Sequence, residues 1–210
     1  MRFLLPVLFL AASSAAAFEP GSLGEPYDDY GLVQGCTDQG EVLGCTIVSF
    51  GSQYVIPEGG PTPPEVLSAL KAIPPLTAVE FSGDILNVYD SYADMALSAV
   101  APSATPYAHA DRLAAMQGAW VSTDDPKSGV RVDGLIWADV YDGQEMGRSV
   151  IDIGDSCAEE TTDASDILQL FTIGAADAGW LCYAILSVTP DRMELSYLAR
   201  GNTLTFVREK

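Results

Sequence analysis

The second half of the chain alternates between apolar and polar positions in short segments that turn residues separate. In one segment Met193, Leu195 and Tyr197 share one face, and the polar residues between them share the other. Eight such segments are predicted as strands, at about residues 118–123, 128–133, 135–141, 146–153, 167–173, 180–188, 192–199 and 203–208. Their spacing of roughly eleven residues is typical of an all-β sandwich or barrel. We therefore predict a mainly antiparallel β-barrel of about eight short strands within residues 110–210.

The first half of the chain has a less regular pattern. Residues 18–30 are rich in glycine, proline and acidic side chains and show no period, which predicts a flexible acidic arm. Residues 42–56 favour a strand, and residues 64–73 favour a helix with proline in its first turn and two prolines after its end. Residues 76–81 and 84–89 favour two further strands.

Residues 90–100 are open to two interpretations. Met95 and Ala99 lie at helical spacing, which favours a second helix, and a short strand is the competing interpretation. With the helix, the elements form a small α+β domain over residues 31–101. A linker over residues 102–109 then joins this domain to the barrel.

The start of the barrel carries a family resemblance. Residues 118–120, Gly-Ala-Trp, open the first strand directly after a short helix-like segment at 110–117. This arrangement resembles the G-x-W entry of lipocalin-like (calycin) barrels. The resemblance covers the last half of the chain and implies that Trp120 closes one end of the barrel beneath a late arginine. Arg200 is favoured for that position, and Arg208 is the alternative.

Residues 1–17 have the pattern of a secretory signal peptide. One arginine precedes an apolar run, and three alanines form a small-residue cleavage site before Phe18. The run is shorter than the ~20 apolar residues that a membrane-spanning helix requires. We expect no membrane insertion after cleavage, and a mature protein that is periplasmic or secreted.

Four cysteines in an exported chain predict two disulfides. Three pairings are possible. We favour Cys36 with Cys45 and Cys157 with Cys182, because each bond then stays within one domain.

The chain is strongly acidic, with a formal net charge of −19. Residues 18–105 contain twelve acidic side chains and one basic side chain, Lys71. Such a charge repels nucleic acid and anionic membrane surfaces, so neither is an expected partner.

The sequence lacks the motifs of common catalytic and cofactor sites. It contains no G-x-S-x-G, H-E-x-x-H, P-loop or C-x-x-C pattern, and its one histidine, His109, is predicted to face solvent in the linker. The acidic loop 155–166 lacks the spacing of an EF-hand. No catalytic residue, metal site or cofactor is predicted.

Aromatic residues in the barrel strands suggest where a ligand would bind. The candidate ligand-binding residues are Trp137, Tyr141, Trp180, Tyr183 and Tyr197. The first hypothesis is an exported, non-enzymatic envelope protein whose barrel binds a small apolar ligand. The alternative is a protein–protein or inhibitor-like module that presents the loop 155–166 to an envelope protein. A carboxylate-based enzyme is the least favoured class.

Overall fold

The computed structural model describes residues 18–37, 43–157, 165–173 and 179–209. The predicted signal peptide lies outside the described residues. In chain order the elements are β1 (Glu25–Thr37), β2 (Gly44–Ser49), β3 (Ser52–Pro57), α1 (Pro64–Ala72), β4 (Ala78–Val88), β5 (Ala93–Pro102), α2 (Ala110–Met116), β6 (Gly118–Ser122), β7 (Ser128–Asp133), β8 (Ile136–Tyr141), β9 (Gln144–Gly154), β10 (Ile167–Thr172), β11 (Trp180–Val188), β12 (Arg192–Tyr197) and β13 (Thr203–Arg208). The strands form two closed barrels.

Strands β6 to β13 form an eight-stranded antiparallel barrel, as predicted. Each strand pairs with the next along the chain, and β13 closes the barrel by pairing with β6. All eight predicted segments are strands, and their ends differ from the prediction by two residues or fewer. The alternating pattern was informative because every strand presents one face to the barrel interior.

The N-terminal unit is a five-stranded mixed barrel rather than a clear α+β domain. Its strand order is β1-β2-β3-β5-β4, with β3 and β5 parallel and the other pairs antiparallel. Helix α1 forms the crossover from β3 to β4 and buries Leu70 against the barrel core. This connectivity is that of a Greek-key barrel, the class that includes the OB-fold.

The predicted helix at residues 90–100 is wrong, and the competing strand interpretation is correct. Ala93, Met95 and Leu97 alternate toward the core of the five-stranded barrel and are all buried. The strand pairs with β4 over most of its length. Pairing and burial of every second side chain therefore outweigh the helical spacing of Met95 and Ala99.

The flexible arm predicted at residues 18–30 is also not observed. Residues 25–30 begin β1 and pair with β4. Residues before them are held by the buried carboxylate of Asp84, which accepts hydrogen bonds from the backbone N–H groups of Gly21 (2.7 Å), Leu23 (2.8 Å) and Gly24 (3.2 Å). Burial raises the pKa of Asp84, but these backbone donors outweigh it and hold the pKa below its usual value.

Both predicted disulfides are present. Cys36 and Cys45 join β1 to β2, and Cys157 joins the segment after β9 to Cys182 on β11. Four paired cysteines point to folding in an oxidising, extracytoplasmic environment.

Side chains fill the interior of the eight-stranded barrel. The register places large buried residues from six strands on the inner face: Trp120, Val132, Trp137, Leu168, Met193, Leu195 and Phe206. An eight-stranded barrel has room for such side chains or for one small ligand. Here the side chains occupy that space.

The two barrels pack directly against each other. Leu32, Val48 and Ala78 of the first barrel belong to the same apolar cluster as the core of the second. Gln34 crosses the interface, since its amide donates to the carbonyl of Asp133 (3.1 Å) and accepts from the N–H of Leu135. These contacts fix the position of one barrel against the other, and so the shape of the cleft between them.

Candidate functional site

The five predicted ligand-binding aromatics do not share one site. Tyr183 and Tyr197 are neighbours inside the second barrel, with ring centroids 5.2 Å apart. Trp137 is buried in the apolar cluster against which Tyr183 packs, and it donates its indole N–H to Asp139 at 2.9 Å. Burial, with smaller contributions from Asp139 and Tyr197, raises the pKa of Tyr183 to about 12. Trp137 therefore belongs to the packed core, whereas Tyr183 and Tyr197 are partly buried.

The other two predicted aromatics lie elsewhere. Tyr141 is 46% exposed at the end of β8. Trp180 lies on the outer face of the second barrel and packs on Phe171, with ring centroids 4.6 Å apart. The structure therefore separates Trp180 from the interior residues with which it was grouped.

Arg208, not the favoured Arg200, lies over Trp120. Its guanidinium carbon is 4.0 Å from the centroid of the indole ring. Arg208 pairs with Trp120 in the register of β13 and β6, whereas Arg200 is exposed in the turn after β12. The guanidinium also donates to the carbonyl of Gln117 at 2.6 Å. The arginine over Trp120 is therefore the alternative one, Arg208.

The candidate site is a cavity of about 300 Å³ between the two barrels, chosen for its aromatic lining. It lies at the end of the first barrel that carries the β2–β3 and β4–β5 turns, against the outer face of β9 and β10. Four aromatic residues contribute to its walls: Tyr54, Tyr89, Tyr92 and Phe171. The remaining lining is mostly aliphatic and hydroxyl side chains, including Ile85, Val88, Val150, Ile173, Ser91 and Thr172.

The β2–β3 turn forms one wall because of its backbone conformation. Phe50 and Gly51 both have positive φ, at 44° and 78°, which is the conformation of a two-residue hairpin turn. A Cβ atom at Gly51 would collide with the Phe171 ring. Glycine is therefore required for this turn to approach β10.

The β4–β5 turn forms the opposite wall. The N–H of Tyr89 donates to the carbonyl of Tyr92 at 2.8 Å and closes the turn. The two rings are stacked with centroids 4.5 Å apart, and the Tyr89 hydroxyl donates to Asp94 at 3.2 Å. Asp94 is the main cause of the raised pKa of Tyr89. Asp90, between the two tyrosines, is the one charged residue among the described residues that line the cavity.

A polar network links the cavity wall to the inside of the first barrel. The Tyr54 hydroxyl donates to the Tyr27 hydroxyl at 2.8 Å, which in turn donates to Asp29 at 2.7 Å. The Ser49 hydroxyl donates to the same carboxylate oxygen at 2.6 Å. Burial, followed by the hydrogen bonds with Tyr54 and Asp29, raises the pKa of Tyr27. The network fixes the orientation of Tyr54 in the wall.

A second, smaller inter-barrel cavity of about 130 Å³ is lined by a partly buried acid. Asp152 lines it together with Tyr30 and Tyr107, and burial raises the pKa of Asp152 against the opposing effects of the Ile153 N–H and His109. A glycosidase-type mechanism needs two carboxyl groups at a set separation. Asp152 is the one carboxylate among the described residues that line this cavity.

His109 is not the solvent-facing residue that was predicted. Its side chain is 14% exposed, and its Nδ1 lies 3.1 Å from a carboxylate oxygen of Asp166. Nε2 lies 3.8 Å from Asp155, and the ring packs edge-on against Tyr107. The linker folds back over β9, because the Tyr107 hydroxyl both donates to and accepts from the backbone of Ile153. Much of the predicted 155–166 loop, residues 158–164, lies outside the described residues.

Sequence reasoning missed Tyr89, Tyr92 and Phe171 as site residues. Tyr89 was placed at the end of a predicted strand, Tyr92 in the predicted helix and Phe171 in a barrel strand. The signal for the turn was present in Asp90-Ser91, two turn-forming residues between the tyrosines.

The described residues contain no group of three or more histidine, cysteine or acidic side chains placed to hold a metal ion. Within the same residues, neither α1 nor α2 has the length and apolar character needed to cross a membrane.

The chain was compared with protein-family models, with curated proteins and with solved structures, and none of the three comparisons finds a match.

Proposed function

We propose that the protein is an exported, non-enzymatic binding protein whose small, largely apolar ligand lies in the cavity between the two barrels. The observation that carries this proposal is the cavity of about 300 Å³ with aromatic residues from both barrels in its walls. Ligand pockets are typically concave and mostly apolar, with few polar groups, and they often lie at domain interfaces. The volume corresponds to the lower end of the usual range, roughly 300 to 1,000 Å³.

The location differs from the first hypothesis, which placed the ligand inside the eight-stranded barrel. The interior of that barrel is occupied by Trp120, Trp137 and other buried side chains. Phe171, on the outer face of β10, faces the cavity instead. The second barrel thus contributes its outer face to the proposed site.

Export is supported by two features of the chain. Residues 1–17 have the pattern of a signal peptide, and all four cysteines are paired. A periplasmic or secreted location follows from the proposal. The closed eight-stranded barrel with Trp120 beneath a late arginine supports a lipocalin-like origin for the second domain.

Two matched variants test where a ligand binds. Tyr89 in the cavity wall and Tyr141 at the end of β8 are both 46% exposed. The probe is the neutral dye N-phenyl-1-naphthylamine, whose fluorescence rises in an apolar site. We expect Tyr89→Ala to weaken dye binding about tenfold and Tyr141→Ala to leave it unchanged. If only Tyr141→Ala weakens binding, the ligand site is at the barrel mouth and the proposal is wrong.

A protein partner is the second candidate function. Phe50 and Val88 lie at the two turns beside the cavity and are 75% and 76% exposed. Exposed apolar side chains around a cleft favour association with an envelope protein. Phe50→Ser should abolish co-purification of that partner while dye binding persists, because Phe50 does not line the cavity of about 300 Å³. Co-purification that is unchanged in this variant would exclude the β2–β3 turn as the docking surface.

A further inference from the structure

We infer that the ligand of the inter-barrel cavity is a small organic cation that carries a quaternary or protonated tertiary ammonium group. This inference rests on the proposed function, since it names the chemical class that the same cavity binds. It follows from the aromatic rings and from the charge at the cavity, which are independent observations.

The aromatic rings provide the first observation. Tyr54, Tyr89, Tyr92 and Phe171 line the cavity, and Trp180 packs on Phe171. The face of an aromatic ring carries negative charge density and attracts a cation that lies within about 6 Å of its centroid. Groups of such rings are the usual protein site for quaternary ammonium ions, whose methyl groups also need apolar contacts. A cavity with both rings and aliphatic walls suits both parts of such a ligand.

The negative charge of the residues at the cavity is the second observation. Asp90 is the one charged residue among the described lining residues, and Asp94 accepts the hydrogen bond of Tyr89 beside it. The single base of residues 18–105, Lys71, is on α1 and forms an ion pair with Glu58, beyond the opposite end of β3 from the cavity. On the second barrel, Arg148 lies two residues from the lining residue Val150 and forms an ion pair with Glu145. Lys71 and Arg148 are thus each neutralised by an acid of their own, and the charge of Asp90 favours a cation over an anion in the cavity.

A neutral apolar ligand would gain no electrostatic attraction from the carboxylate of Asp90. Asp90 lies in an exposed turn, so its attraction for a cation is screened by salt, whereas the ring contacts are partly shielded from water. Binding of a cation should therefore weaken with ionic strength, and binding of a neutral molecule of the same shape should not.

Choline and its neutral isostere 3,3-dimethylbutan-1-ol provide the test. Each is titrated against the full mature chain by calorimetry and by displacement of the neutral dye. We expect choline to bind at least tenfold more tightly than the alcohol at low salt. Asp90→Asn should reduce that preference by weakening choline binding more than binding of the alcohol, and the aromatic rings should retain the rest of the preference. The control is Asp124→Asn, which removes the same charge from an exposed turn of the second barrel.

The outcomes separate this inference from the proposed function. If the dye binds and depends on Tyr89, but choline binds no more tightly than the alcohol, the cation inference is wrong and the cavity remains a binding site. If neither the dye nor choline binds, the proposed function is wrong and the inference falls with it. If Asp124→Asn reduces the preference as much as Asp90→Asn does, the net charge of the chain and not the cavity selects the cation.

Discussion

Arg208 illustrates how one side chain closes a barrel. Its guanidinium covers the ring of Trp120, and it donates to the carbonyls of Ala115 and Gln117 at the end of α2. A cation at the end of a helix satisfies carbonyl groups that lack partners in the helix. The family resemblance implied a late arginine over Trp120 and Arg200 was favoured for it, whereas the register of β13 against β6 places Arg208 there.

Arg208→Ala should lower the free energy of unfolding by about 2 kcal/mol, since it removes a cation–π contact and charged hydrogen bonds. Arg200→Ala removes an exposed arginine from a turn and should change stability by less than about 0.5 kcal/mol. Urea unfolding of both variants measures the difference. Equal losses, or a larger loss for Arg200→Ala, would contradict the assignment of Arg208.

The raised pKa of Asp152 implies that the stability of the protein depends on pH. Burial raises the pKa of Asp152 in the folded protein above the ordinary value of 3.8, so at a pH between the unfolded-state and folded-state pKa values the folded state binds more protons than the unfolded state. Stability from this residue is complete below pH 3.8 and declines as the pH rises through the folded-state pKa. Asp152→Asn should therefore be more stable than the wild type at neutral pH, and the gain should shrink as the pH falls toward 3.8.

Urea unfolding at a series of pH values checks this prediction. The amide introduced by Asp152→Asn retains an oxygen that can accept from Gln169, which donates to the Asp152 carboxylate at 3.3 Å. The exposed Asp124→Asn variant is the control for a change in net charge. A variant that loses stability at neutral pH would show that the Asp152 carboxylate is well stabilised, contrary to its raised pKa.

At the scale of strands and turns, the two barrels differ in how well the sequence predicts them. Strands β6 to β13 carry large apolar residues on the inner face, so their alternation is clear. In β1 the inward positions include Asp29 and Gly31, which hide the alternation and made its first residues resemble a polar arm. Strand β5 was obscured by small residues at its outer positions that also fit a helix. The cavity depended on these elements, so the sequence could not predict it.

Two glycines with the same backbone conformation test the wall formed by the β2–β3 turn. Gly51 has a φ of +78° and meets Phe171, whereas Gly143 has a φ of +77° and no neighbouring atom within 4 Å of the point where a Cβ would lie. Both alanine substitutions should cost about 1 kcal/mol in backbone strain. Gly51→Ala should cost roughly 1 to 3 kcal/mol more through the contact with the ring, and should weaken dye binding.

Thermal unfolding and dye titration of the two variants give the comparison. Gly143→Ala should bind the dye as the wild type does. Equal stability and equal dye binding in both variants would show that the turn does not press against β10.

At the scale of the whole molecule, the barrels are joined by a shared apolar cluster and by polar contacts that cross the interface. Gln34 makes two of these contacts, one to Asp133 and one to Leu135. The linker adds a third through Tyr107 and Ile153. Residues of both barrels line the cavity, so the proposed ligand site requires the pair of barrels.

Native mass spectrometry of the protein purified from its own compartment shows directly whether a ligand occupies this cavity. We expect a small molecule to be released on denaturation from the wild type and from Tyr141→Ala, and to be absent from Tyr89→Ala. A molecule retained by Tyr89→Ala and lost from Tyr141→Ala would exclude the inter-barrel cavity and place the ligand at the mouth of the eight-stranded barrel.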